Sequence, residues 1–446
     1  MNHRKIVILT GLITLVVVLL VWIYFPAQAI EIETSEYLSP NWSQQDISTN
    51  QIFLPLVFKN YTTPAPLWRF GVSRTRLALS EWDSNELASM RFGWYVDYGV
   101  SANPSTPYGM EYIPIVRIKQ DKQDEDGNPI YYRDGPFYME PYTYTFSPDE
   151  SQIQSLAAIR PGMTWVIGNE MDRIDYPYST GGVGGQDEML PELYAEAYHN
   201  LRLIILSADP SAKIAFGSMV EFTDLRKKYL DRVWDYYLTK YGEEMPVDIW
   251  TIHLYVLSEV KDAGGAEIPP GLSETSGQIY TILDNKDFTK AWAQIVSLRT
   301  WMEANGQKDK PLFITEYGVL WPEWVWCGTY PDTSGCPFTP EEVRDSYMYP
   351  SFDAFLNQTS LEIGFPDDGY RLVQRWNWFS LDYDLGKCED YNGKLYFNVD
   401  FGGSLFNSGL GPSGCSFPSQ GINTLGTYWK QYVQNLPAGS NIPYLP

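Results

Sequence analysis

The sequence predicts an α/β fold, a (β/α)8 TIM barrel, from three observations. Eight short apolar, β-rich runs recur along the chain, and helical patterns fall between most of them. Two of the runs end alike, passing from apolar residues to a glutamate beside a glycine. The first reads Thr164-Trp165-Val166-Ile167-Gly168-Asn169-Glu170, and the second reads Leu312-Phe313-Ile314-Thr315-Glu316-Tyr317-Gly318. A carboxylate just past a buried strand is expected at the rim of the sheet, where parallel α/β folds do their chemistry.

Taken in order, the strand-like runs are 68–72, 92–98, 112–118, 164–168, 213–217, 248–254, 312–315 and 374–379. Helical patterns cover 81–90, 148–160, 190–208, 224–241, 289–305, 339–357 and 426–436. Ser147-Pro148-Asp149-Glu150 reads as a serine N-cap before a proline, and Thr339-Pro340-Glu341-Glu342 repeats that start. Asn305-Gly306 reads as a helix end. No GxGxxG follows the first strand and there is no P-loop, so nucleotide-binding folds gain no support. The run Thr180-Gly181-Gly182-Val183-Gly184-Gly185 reads as a flexible part of the long loop after strand four.

The 446 residues divide into a leader at 1–29, a linker at 30–66 and one catalytic domain at 67–446. Arg4 and Lys5 precede an apolar stretch at 6–25, and Pro26-Ala27-Gln28-Ala29 has the small-x-small form of a cleavage site. We expect an export signal, with an uncleaved membrane tether through 6–25 as the alternative. Either way the body is expected outside the cytoplasm, secreted or anchored facing outward, and monomeric. The proline-rich linker carries one strand-like insert at 52–58. The four cysteines, Cys327, Cys336, Cys388 and Cys415, have no metal-site spacing and read as disulfides in an exported chain. Of three pairings, Cys327–Cys336 with Cys388–Cys415 is the most local.

Hydrophobic residues make up 44% of the chain and charged residues 20%, an ordinary globular composition. The formal charge of −23 argues against nucleic acid, and disfavours an anionic polymer unless a local basic cleft overrides it. Aromatics reach 15%, which suits either sugar-binding faces or a large α/β core. The acids Asp121, Asp124, Glu125 and Asp126 around Gly127 lack the EF-hand pattern and read as a solvated loop. No GxSxG elbow is present, and only His199 and His253 remain after the leader.

In the barrel count Glu170 follows strand four and Glu316 strand seven, on opposite sides of a closed ring. Two facing carboxylates can cleave a glycosidic bond, one protonating the leaving oxygen and the other attacking. Here the chain resembles the clan A (GH-A) retaining glycoside hydrolases, over about 67–435. The resemblance rests on Asn169-Glu170, His253-Leu254-Tyr255, Glu316 in ITEYG, and Arg375-Trp376-Asn377-Trp378, in the clan's order. It implies that Glu170 is the acid/base, that Asn169 binds the sugar 2-hydroxyl and that Glu316 is the nucleophile. Tyr255 would donate to Glu316, and His253 of the same His-x-Tyr would join it in binding substrate, with a satisfied core histidine as the alternative. It also implies a tryptophan floor from strand eight. Of Trp376 and Trp378, one is expected to face the interior and the other the helices, with Trp378 preferred as floor. The clan's arginine near strand two is absent, and Arg74 and Arg117 are the substitutes.

Long aromatic loops suggest subsite walls: Trp321, Trp324 and Trp326 after strand seven, and Tyr131, Tyr132, Phe137, Tyr138, Tyr142 and Tyr144 after strand three. The expected partner is a carbohydrate, a β-linked polysaccharide, with no metal and no organic cofactor. A silent glycan-binding barrel and an envelope structural protein are the competing readings.

Overall fold

The structure is a computed structural model that describes residues 65–135, 137–175, 185–322, 336–383, 402–409 and 419–436, and the backbone of 387–391 and 394–398. The leader, the insert at 52–58, the glycine run at 180–184, Trp324, Trp326, Cys327 and Cys415 lie outside the described residues. So does the Cys388 side chain. Cys336 is buried and disulfide-bonded. No described helix is long and apolar enough to cross a membrane.

Eight parallel strands form a nearly closed barrel within the compact unit Ala65–Pro446. They are β1 (Leu67–Ser73), β2 (Phe92–Asp97), β3 (Glu111–Gln120), β4 (Thr164–Asn169), β5 (Lys213–Ser218), β6 (Trp250–Leu254), β7 (Leu312–Tyr317) and β8 (Arg375–Trp378). Ladders run in order from β6 through β7, β8, β1, β2, β3 and β4 to β5. The remaining edge, β5 to β6, carries two isolated parallel bridges, Ala215 to Ile249 and Met219 to Ile252. All eight sequence-predicted strands are present. The segment Tyr144–Ser147 adds a short antiparallel partner to β3.

Helices α1 (Ser84–Ser89), α2 (Glu150–Ile159), α3 (Pro191–Ala208), α4 (Asp224–Tyr241), α5 (Phe288–Ala304), α6 (Tyr349–Asn357) and α7 (Thr424–Gln434) match the predicted patterns. Pro340–Val343 and a π-turn, Arg344–Met348, lead into α6. Pro350 has no N–H for the helical ladder, and the π-turn lies just before it. Two starts differ from the sequence reading. Asp149, not Ser147, caps α2 by accepting from the Gln152 amide, because Ser147 is still paired to Arg117 of β3. Asp83 caps α1, leaving Glu81 in a separate 3-10 turn. Thr339 caps as expected, and Asn305 ends α5.

Alternation along the strands sorts side chains into two cores. Outward residues such as Phe70, Val72, Trp165, Ile214 and Trp250 pack under the helices. Inward, Trp94, Val96, Ile113, Ile115, Val166 and Phe313 fill the barrel. Arg375 closes the lower end, its guanidinium 4.7 Å from the Trp94 ring and paired to Glu111 at 2.5 Å. Gly71 makes room for Trp94: a Cβ there would stand 2.5 Å from the indole.

Candidate active site

Above the apolar plug the interior turns polar. Ser218 Oγ meets Thr251 Oγ1 at 2.8 Å and also meets Thr315 Oγ1. The next layer up holds Glu170, His253 and Glu316.

Glu170 is aimed by the backbone of its own turn. Its amide donates to the Ser218 carbonyl at 2.8 Å, and its φ of 49° is a left-handed value rare outside glycine. The preceding Asn169 is pinned by Asp187, whose Oδ2 accepts from the Asn169 amide at 2.8 Å and from Ile118 N at 3.1 Å. Asn169 Nδ2 donates to Gly185 O at 2.9 Å, whereas its buried Oδ1 has no partner. That acceptor is free for a hydroxyl group.

Glu316 is aimed by a bulge in β7. The register pairs Ile252 with Ile314 but His253 with Glu316, so Thr315 is the extra residue. A bulge turns consecutive side chains to one face. Thr315 and Glu316 therefore both point inward, while Tyr317 returns to the helix-side core.

The two acids face each other through His253. His253 Nδ1 lies 3.0 Å from Glu170 Oε1 and Nε2 lies 3.4 Å from Glu316 Oε1. One oxygen of each glutamate and a ring nitrogen fall within 4.8 Å of one another. Among the described residues this is the group whose ligand atoms approach closely enough to hold a cation, but Nδ1 is hydrogen-bonded to Glu170. Tyr255 O–H donates to Glu316 Oε2 at 2.8 Å. Arg173 Nη1 lies 2.9 Å from Glu170 Oε2, and Gln186 Nε2 donates to the same oxygen at 3.1 Å.

These partners set the charges. Burial opposes ionisation of Glu170, but Arg173 and His253 outweigh it and hold its pKa well below the usual carboxylate range. Burial raises the Glu316 pKa. The charge on Glu170 adds to that, against the lowering pull of His253 and of the Tyr98 and Tyr255 hydroxyls, and the net direction is up. Burial works against charge on His253, yet Glu316 and Glu170 on either side raise its pKa. Burial keeps both phenols protonated, so Tyr98 and Tyr255 stay donors.

The carboxylates open into a cavity of about 290 Å³ over the carboxyl ends of the strands. Asn169, Glu170, Tyr255 and Glu316 line it as the sequence suggested. Of the two substitute arginines, Arg117 lines the cavity, while Arg74 is paired to Asp97 at 2.6 Å outside it.

Several expectations are corrected. Trp376 and Trp378 are two residues apart and so share a face: both are fully buried on the helix side. Trp376 packs on Phe70 and Phe355, and Trp378 packs on Tyr317 and donates to Gly403 O at 2.6 Å. Neither is a substrate floor. Inward on β8 is Asn377, accepting from Ser73 at 2.6 Å. Phe379, one residue beyond Trp378, takes the cavity wall with Tyr98 and Tyr383. His253 is fully buried behind the acids and does not line the cavity. Trp321 is half-buried against the helix-side core and does not line the cavity either. Asp124 accepts from the Asp126 and Asn128 amides at 3.0 and 2.8 Å, in keeping with the solvated-loop reading of that acidic stretch.

The sequence reading missed Tyr98, Arg173, Gln186, Phe379 and Tyr383. Strand parity from Asn377 would have pointed to Phe379. Nothing local marks Gln186, which reaches Glu170 from the far side of a loop.

No protein-family model and no curated protein matches the chain. Solved structures similar to it are of low identity. A GH128 (subgroup II) endo-beta-1,3-glucanase from Sorangium cellulosum has 14% identity and a TM-score of 0.40, covering 81% of this chain and 97% of that one. A glucosidase from Croceicoccus marinus has 10% identity and a TM-score of 0.41, over 83% and 67%. A beta-D-glucuronidase from Dictyoglomus thermophilum has 12% identity and a TM-score of 0.43, over 86% of this chain and 52% of that one.

Proposed function

We propose that this protein is a retaining glycoside hydrolase that cleaves O-glycosidic bonds in a β-linked glycan by double displacement. The observation that carries the reading is the facing of Glu170 and Glu316 across one cavity, with an oxygen of each within 4.8 Å of the other. Carboxyl groups about 5–5.5 Å apart leave no room for an intervening water, so the second acts as nucleophile.

Glu316 is the nucleophile. Tyr255 occupies Oε2, which leaves Oε1 to attack the anomeric carbon. Glu170 is the acid/base. It gives its proton to the glycosidic oxygen as that bond breaks and Glu316 forms an ester to the sugar. It then takes a proton from the water that releases the sugar from Glu316. The proton source is His253 in its imidazolium form: passing the Nδ1 proton to Glu170 Oε1, 3.0 Å from that nitrogen, leaves His253 and Glu170 neutral and Glu316 ionised, the pairing the first step needs. Asn169 Oδ1 is the acceptor for a sugar hydroxyl, and Phe379 with Tyr383 is the apolar face for the ring.

The test is reducing-sugar release by the purified chain on β-glucans, mannans, xylans, galactans and arabinans, with Glu316→Gln beside it. Activity that vanishes in the variant supports the reading, and product of inverted configuration overturns the double displacement. Binding to one of these glycans without turnover would favour a catalytically silent glycan-binding barrel.

A further inference from the structure

We propose that Arg173 selects a glycan carrying an anionic substituent, a carboxylate or a sulfate, beside the bond to be cut, and that this substituent draws the guanidinium off Glu170. The inference rests on the glycosidase reading and names the substrate class for that site.

Glu170 as it stands is held by donors that favour its charged form. Oε1 faces His253 Nδ1 at 3.0 Å, and Oε2 receives both Arg173 Nη1 at 2.9 Å and Gln186 Nε2 at 3.1 Å. Three donors fill three of the roughly four lone-pair sites of the carboxylate, and they stabilise its charged form. Losing one donor makes it easier for Glu170 to hold the proton that the first step needs. His253 is fully buried and held between two acids. Arg173 is different: it lines the cavity, its side chain is 21% exposed, and its Nε donates to the Gly265 carbonyl at 3.0 Å. A guanidinium has five N–H donors in a planar fork, matched to carboxylate or sulfate oxygens.

The second cation on the cavity wall is already committed. Arg117 Nε donates to the buried Asp187 at 2.6 Å, and Nη2 donates to the Gly185 carbonyl at 2.6 Å. Arg117 therefore adds positive potential, while Arg173 is the group an anion can take. The net charge of −23 repels an anionic polymer at long range, but salt screens that field beyond about 8–10 Å, and inside the cavity the two arginines set the local sign.

The experiment uses the wild-type chain on matched substrates: uronate-containing β-glycans against their carboxyl-reduced forms, and sulfated β-glycans against their desulfated forms. Turnover is read as kcat/KM, and binding is read with Glu316→Gln. The expected result is a preference for one anionic member of at least about 30-fold, the low end of what an unpaired desolvated charge partner costs. Arg173→Gln should lose that preference mainly in kcat, and Arg173→Lys should recover part of it. Equal or faster cleavage of the neutral members, or a preference that survives in Arg173→Gln, overturns the inference and leaves the glycosidase reading standing. Anion-selective binding without turnover keeps the role of Arg173 and removes the hydrolase reading. Neither binding nor turnover on any member overturns both.

Discussion

His253 stands between two acids, with Nδ1 3.0 Å from Glu170 and Nε2 3.4 Å from Glu316, and it is fully shielded from solvent. A ring so placed ties the protonation of one carboxylate to that of the other. Replacing it with Asn should lower kcat about 100-fold, the usual scale for a lost proton donor. The alkaline limb of the pH profile should also move down, because the raised His253 pKa no longer keeps a proton available. A profile unchanged in shape would remove His253 from the proton path.

Glu316→Gln should lose nearly all turnover while its melting temperature stays close to that of wild type. In Glu316→Ala, azide should restore turnover by entering the space vacated beside the anomeric carbon. Undiminished turnover in either variant would end the nucleophile assignment.

Tyr255 donates to Glu316 and so favours its charged form. Glu316 must be ionised to attack, and its pKa is already raised by burial, so activity should fall as pH drops through that raised value. Tyr255→Phe removes a lowering contact, so the acid limb of kcat/KM should shift to higher pH. A shift to lower pH, or none, would contradict the arrangement.

Glu221 is buried beside the barrel, with Oε2 accepting from Leu257 N at 3.2 Å and Oε1 unpartnered. Burial pushes its pKa well above the carboxylate value. A carboxyl group raised on folding contributes stability below its unfolded pKa and loses it as pH rises through the folded one. Glu221→Gln should therefore hold its melting temperature better than wild type as pH rises toward 8. A variant that loses more than wild type over that range would show that the charged form is used.

Gly71→Ala tests the interior packing. The added methyl would meet the Trp94 indole at 2.5 Å, and a rigid ring cannot give way cheaply. The expected loss is about 1–3 kcal/mol in urea unfolding, the usual range for overpacking. An unchanged midpoint would mean that the plug is looser than its geometry indicates.

Much of this was legible in the sequence. Apolar runs of strand length, separated by helical patterns, are local signals, and all eight strands and seven helices formed near the predicted positions. Asn169-Glu170, Tyr255 and Glu316 were visible for the same reason: each sits at or just beyond the carboxyl end of its strand, and in a barrel those ends meet. The sequence could not decide which way side chains turn where a strand is irregular. The bulge at Thr315 aims Glu316, and the left-handed turn at Glu170 aims the other acid. Nor could it show that Arg173 and Gln186 close on one oxygen of Glu170, since that contact depends on where a loop returns. Trp376 and Trp378 mark the boundary most clearly. Their residue type suggested a sugar platform, but the pleat gives both one face, and closing the barrel put that face under the helices.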